Sequence, residues 1–198
     1  MSFTSSYVAE TVTILHAIDA DSVEAVAAGL ADVRRNGGRL FILGVGGSAG
    51  HASHAVNDFR KICGFEAYAP TDNVSELTAR INDEGWDTAF KYWLIGSKLG
   101  ERDALLVFSV GGGSLLPPTS ANLVEAIRLA KTVGTKVFGI VGRNGGYTAT
   151  VADAAVVIPP LFATHITPHT EGLCAVVWHL LVTHPALAES RTKWESVR

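Results

Sequence analysis

Between Ser2 and Asn36 the apolar residues fall at Val8, Val12, Leu15 and Ile18, and then at Val23, Val26, Leu30 and Val33. That is helical spacing. Two helices are expected, interrupted over Asp19 to Ser22, with Asp21 or Ser22 as cap of the second and Asn36-Gly37-Gly38 ending it. The pattern then changes. Arg39 to Gly44, Ala104 to Ser109 and Lys136 to Val141 are nearly unbroken apolar runs, as strands covered on both faces read. Ala155 to Ile158 is a shorter fourth run, and Phe65 to Tyr68 a weak one. Helical spacing fills the gaps: after the first run, over Val74 to Ala79, Trp86 to Leu99, Ser120 to Val133 with Gly134 closing it, and Leu173 to Leu181, with a helical tail after Pro185. Strands alternating with helices predict an α/β fold with a five-stranded parallel sheet flanked by helices, preceded by two helices. The expected division is residues 1–36 for oligomer packing and 37–198 for the α/β domain.

At 198 residues one domain can bury a core without disulfide or metal staples. Hydrophobic residues make up 47% and charged residues 18%, so part of the surface must be apolar, and homo-oligomerisation is expected. The formal charge of -3, with no basic run, argues against nucleic acid and against an anionic membrane surface. Cys63 and Cys174 are too few for a secreted disulfide framework and read as reduced, packed thiols. No uninterrupted apolar stretch reaches membrane-spanning length, and Met1 to Thr13 lacks the basic start and apolar core of a signal peptide. A cytoplasmic location is expected.

The chemistry concentrates where strands end. GVGGS, residues 44–48, is a glycine turn between strand and helix. Such a turn points backbone N–H groups and the positive end of a helix dipole at whatever lies above the strand, and an anion such as phosphate suits that place. It is neither a P-loop nor a dinucleotide fingerprint. His51, His54 and Asp58 follow at i, i+3 and i+7, along one helical stripe. Two further glycine turns, Val110 to Ser114 and Gly142 to Gly146, close later strands, where open α/β sheets hold ligands. Taken singly, His179 among Val176, Val177, Trp178 and Leu180 reads as a core histidine, and Trp86 and Trp178 as core. Arg143 reads as a turn arginine able to meet an anion. His165 and His169 are spare imidazoles.

GVGGSAGHASH, SVGGGS, the Gly-Arg-Asn-Gly-Gly turn and HTEGLCAVVWH together resemble the sugar isomerase (SIS) domain, and within it the phosphoheptose isomerase group. The resemblance covers nearly the whole chain. It implies a homotetramer with sites at subunit interfaces, a phosphorylated sugar as substrate, and Zn²⁺ or another divalent ion, one per subunit. Matched position by position, Ser48 holds phosphate with neighbouring amides such as that of Gly47, and Ser109, Gly111 and Ser114 belong to a second phosphate loop. His54, Asp58, Glu171 and His179 fall on the metal ligands, with Asp58 and His179 as acid/base residues. The family has glutamate at Asp58, glutamine at Glu171, aspartate at Pro168, arginine at Ile62 and commonly aspartate at His51. Its second loop reads Ser-Thr-Ser-Gly-Asn-Ser.

Imidazole and carboxylate suit zinc. Glu171 and His179, however, stand about 12 Å apart along one ideal helix, at roughly 1.5 Å per residue. An irregular helix start, converging long side chains or a ligand from another subunit is needed to bring them to one ion. The implied reaction is aldose-ketose isomerisation, sedoheptulose 7-phosphate to heptose 7-phosphate. The same fold also serves as non-catalytic sugar-phosphate binder or replication partner, or acts on a different phosphosugar.

Overall fold

A computed structural model describes residues 2–196 of the chain. Helices α1 (Phe3–His16) and α2 (Ala20–Arg35) lead into strand β1 (Leu40–Leu43) and α3 (Gly47–Lys61). Then come β2 (Ala67–Tyr68), α4 (Val74–Glu84), a 3-10 turn at Trp86–Thr88 and α5 (Ala89–Gly96). Strand β3 (Ala104–Ser109) is followed by a small antiparallel ribbon, β4 (Ser114–Leu115) and β5 (Pro118–Thr119), and by α6 (Ala121–Val133). The chain closes with β6 (Lys136–Val141), α7 (Gly146–Val151), β7 (Ala154–Val157), α8 (Ile166–Thr183) and α9 (Lys193–Ser196). Strands β2-β1-β3-β6-β7 form one five-stranded sheet, parallel throughout, flanked by helices as the alternating pattern predicts.

Period-two alternation sorts the strand residues between two cores. Leu40, Ile42, Ala104, Leu106, Phe108, Phe138, Ile140 and Val156 face α2, α3 and α8. Phe41, Leu43, Leu105, Val107 and Val137 face α5 and α6. Both faces of the central strands are therefore apolar, which is why β1 and β3 read as continuous hydrophobic runs.

The elements depart from the sequence reading in a few places. Asp19, not Asp21 or Ser22, caps α2, its Oδ1 accepting the Asp21 N–H at 3.1 Å. Helix α4 continues past Ala79 because Arg80 bonds Glu76 and Glu84 one turn to either side, and it stops at Gly85 with φ of 82°. Trp86 is exposed rather than core, whereas Trp178 is fully buried. Helix α8 begins at Ile166, well before Leu173, with Pro168 in its first turn, where a missing N–H costs no helical bond. Of the expected tail, α9 is formed; residues 197–198 lie outside the described residues.

Asp103 fixes the start of β3 against that of β1. It accepts from the Arg39 amide at 2.9 Å, Arg39 Nε at 3.2 Å, Arg39 Nη2 at 2.7 Å and the Gly100 amide at 2.8 Å. Burial raises the Asp103 pKa, but these hydrogen bonds and the guanidinium charge outweigh it and hold the carboxyl below its ordinary 3.8. Removing one partner of a largely buried pair strands the other. Asp103→Ala is accordingly expected to lower stability by about 3 kcal/mol in denaturant unfolding. Because the folded value is depressed, the stabilisation is present above the unfolded value and is lost as pH falls through the folded one. Wild type should lose this increment below about pH 4, and the variant should show less acid sensitivity in that window.

Candidate functional site

The chain leaves β1 toward β2 at one edge of the sheet and leaves β3 toward β6 on the other side, so their carboxyl ends diverge. A crevice at such a point is where open α/β sheets place ligands. Here a cavity of about 880 Å³ is lined by the first glycine loop (Val45, Ser48), the second (Ser109 to Ser114), the third (Arg143, Asn144, Gly146) and Glu171 of α8. No side chain caps the amino end of α3, which leaves the Gly47 and Ser48 N–H groups open to an anion, the Ala49 N–H being bonded to Gly46 O.

Glycine is required where these loops touch. A Cβ at Gly112, whose φ is +70°, would lie 1.9 Å from the Gly145 carbonyl oxygen, and one at Gly146 would lie 2.1 Å from that of Gly111. The second loop is stitched to the third by Tyr147 N–H to Gly113 O at 2.8 Å and Thr148 N–H to Gly112 O at 2.9 Å. Ser109 Oγ accepts the Gly112 N–H at 3.0 Å, so its hydroxyl proton stays available to a ligand.

The cavity wall carries one cation and one anion. Arg143 sits in a left-handed conformation (φ 51°), its Cδ 4.0 Å from where a Gly111 Cβ would stand. Among the described residues it has no hydrogen-bond or ion-pair partner. Glu171 lies against the first loop, its Oε1 2.5 Å from where a Gly47 Cβ would be.

Farther along α3 and α8 a second feature forms. His54, Asp58 and His179 present ligand atoms that all lie within 4.8 Å of one another. Asp58 Oδ2 is 3.6 Å from His54 Nε2 and 3.9 Å from His179 Nε2. The His179 Nδ1–H donates to the Ala175 carbonyl at 2.7 Å, which leaves the Nε2 lone pair facing the aspartate, the tautomer a metal ligand needs. Trp178 stacks on the His179 ring with centroids 3.5 Å apart. His179 is thus an exposed residue and not the core histidine its neighbours suggest. The structure brings these three together; Glu171, on the same continuous helix, points to the cavity, and His51 belongs to neither group.

A third grouping was not foreseen. Glu10 of α1 approaches His165 and His169, their ligand atoms again within 4.8 Å. Hydrogen bonds from His169 and His165 hold the Glu10 carboxyl below its ordinary 4.5. The i, i+4 spacing of the two histidines was visible in the sequence; nothing in the sequence pairs them with Glu10. Both donor sets suit a divalent ion. Cys63 and Cys174 are free and buried, and burial pushes the Cys63 thiol up to about 12 and raises that of Cys174 as well, so neither is a ready nucleophile. No helix is long and apolar enough to cross a membrane among the described residues.

Residues 6–142 match the SIS domain family. A phosphoheptose isomerase from Chlorobaculum parvum is 33% identical over 176 residues, covering 83% of this chain and 77% of that protein. The lincomycin biosynthesis protein LmbN of Streptomyces lincolnensis is 36% identical over 172 residues, 81% of this chain but 60% of that longer protein. A phosphoheptose isomerase structure from Francisella tularensis superposes with a TM-score of 0.77 at 21% identity, covering 92% of this chain and 97% of that one. The chain belongs to the SIS domain family. Within it, the chain is closely related to the phosphoheptose isomerases.

The contact between loops gives a stability test. Gly112→Ala drives a Cβ into backbone that cannot swing away and forces a left-handed alanine, so unfolding should show a loss of at least about 2 kcal/mol. Gly50→Ala, in open space on α3, should be neutral or stabilising by up to about 1 kcal/mol.

Proposed function

We propose that the chain is an aldose-ketose isomerase for a phosphorylated sugar, with sedoheptulose 7-phosphate the first substrate to test. The observation that carries this reading is the pairing of an anion cavity at the ends of β1 and β3 with an imidazole-carboxylate set on α3 and α8, in a chain related to phosphoheptose isomerases. The α3 amides at Gly47 and Ser48, the hydroxyls of Ser48, Ser109 and Ser114 and the backbone at Gly111 would hold the phosphate. Arg143 adds the charge.

Isomerisation moves a proton between adjacent carbons and develops negative charge on the carbonyl oxygen. Asp58 takes the proton as base, and His179 exchanges one with the oxygen. His54, Asp58 and His179, joined by Glu171, fit zinc, one per subunit, which when bound would polarise the substrate's oxygens.

One copy alone does not assemble this site. Ser48 and Asp58 are ten residues apart on α3, about 15 Å along its axis, and Glu171 and His179 about 12 Å apart on α8. A second copy, laying its α3 and α8 across the cavity, would supply the missing groups. Phe3, Val8, Val12 and Leu15 on α1 and Val176 and Leu180 on α8 are exposed apolar side chains that such a contact would cover, consistent with a homotetramer. Residues 1–36 contribute to that packing through α1. A cytoplasmic setting suits two free thiols and a phosphorylated substrate.

Turnover of sedoheptulose 7-phosphate with zinc present tests the assignment. Asp58→Asn keeps the size and removes the base, so kcat should fall by roughly a hundredfold or more while sugar-phosphate binding persists. Wild-type turnover in that variant would eliminate Asp58 as base, and binding without turnover by wild type on a panel of ketose and aldose phosphates would convert the protein to a binding module.

Arg143→Ala separates phosphate recognition from chemistry. A charged hydrogen bond is worth about 1.5–3 kcal/mol, so KM should rise roughly ten- to hundredfold with kcat nearly unchanged. Steady-state kinetics on phosphorylated and unphosphorylated sugar would check it, the variant's penalty appearing only with the phosphate.

A further inference from the structure

We infer that Glu10, His165 and His169 form a second divalent-metal site, structural in role, that staples α1 to the amino end of α8. His165 Nδ1 and His169 Nε2 both aim at one oxygen, Glu10 Oε2, at 2.8 and 2.9 Å. A tetrahedral zinc ion bound at roughly 2.0–2.1 Å wants donors a few tenths of an ångström farther apart, a shift that side-chain rotation supplies. Three protein ligands leave one position for water.

The surroundings prepare the rings for this role. The Thr11 hydroxyl donates to the Tyr7 carbonyl at 2.9 Å and so turns a lone pair toward His169 Nδ1, 3.5 Å away. Without an ion His169 Nε2–H bonds Glu10; when a cation takes the place of that proton, a proton on Nδ1 meets the Thr11 lone pair. A hydrogen-bond acceptor behind the ring is how metal-binding histidines are commonly oriented. Tyr7 stacks on the His169 ring at 4.4 Å, and Phe3 and Tyr7 set their edges against His165 at 5.8 and 5.7 Å, so the imidazoles are braced on both sides.

The fold gives such a staple work to do. Helix α1 buries Ile14 alone among its residues, so little hydrophobic area holds it to the body of the protein. Its second partner, His169, stands two residues before Glu171, which reaches the cavity. The site is separate from the His54, Asp58 and His179 set: His169 precedes His179 by ten residues, about 15 Å along the helix.

The test counts ions on the 198-residue chain, without substrate, so its outcome is independent of the isomerase reading. Protein stripped with chelator is titrated with zinc chloride by calorimetry, and bound zinc is measured after gel filtration. One ion per chain should be lost in Glu10→Gln/His165→Gln and retained in His54→Ala/His179→Ala. Zinc should raise the melting temperature of the second variant by roughly 5 °C, and the rise it gives the first should fall short of the wild-type rise by a similar amount. Glu10→Gln alone keeps the side chain's size and a hydrogen-bond acceptor, and should weaken one class of binding at least tenfold even if the double variant fails to fold. Unchanged zinc stoichiometry and affinity in Glu10→Gln would overturn the proposal, leaving a hydrogen-bonded clamp.

Discussion

The cavity keeps its shape because two of its three glycine loops touch backbone to backbone. Gly112 lies against Gly145 so closely that no Cβ fits, and the amides that open α7 are spent on the carbonyls of Gly112 and Gly113. That closure fixes the second loop at the end of β3 and faces it toward the uncapped end of α3. The parallel sheet supplies the divergence of β1 and β3; the glycines turn the divergence into a defined concave wall. Chemistry that depends on Ser109, Gly111 and Ser114 inherits its geometry from a contact in which none of their side chains takes part.

Two helices then carry the remaining chemistry away from that wall. Helix α3 starts with Gly47 and Ser48 at the anion loop and reaches His54 and Asp58 two to three turns on. Helix α8 starts beside α1 at His165 and His169, passes the cavity at Glu171 and arrives at His179 two turns later. Regular helices hold these groups at fixed separations, so the distances between anion pocket and imidazole-carboxylate set follow from residue counting. On the isomerase reading proposed above, a second copy would bring both groups to one small sugar, and the exposed apolar side chains of α1 would lie in that contact.

Much of this was legible in the sequence. The strand runs of β1, β3 and β6 stand out because both faces of the central strands are covered, and the glycine turns mark the strand ends by necessity of close approach. What periodicity could not give was contact between elements far apart in the chain. Trp86 has the composition of a core residue but falls on a 3-10 turn at the surface, and His179 has apolar neighbours yet sits on the outward stripe of α8. Glu10 was invisible because its partners lie some 155 residues away and helix α1 carries no local signal of them. The placement of Glu171 on the cavity follows from α8 starting at Ile166, a turn and more before the Leu173 start that apolar spacing predicts.

The position of Trp178 gives the protein an optical voice. Its indole is fully buried, stacks on His179 and meets the His54 ring edge at a centroid distance of 4.8 Å. Whatever changes the charge or orientation of those imidazoles changes the electric field on the chromophore directly above them. With the three other tryptophans replaced, emission from this one side chain would report the state of the α3–α8 cluster from within, without label or substrate.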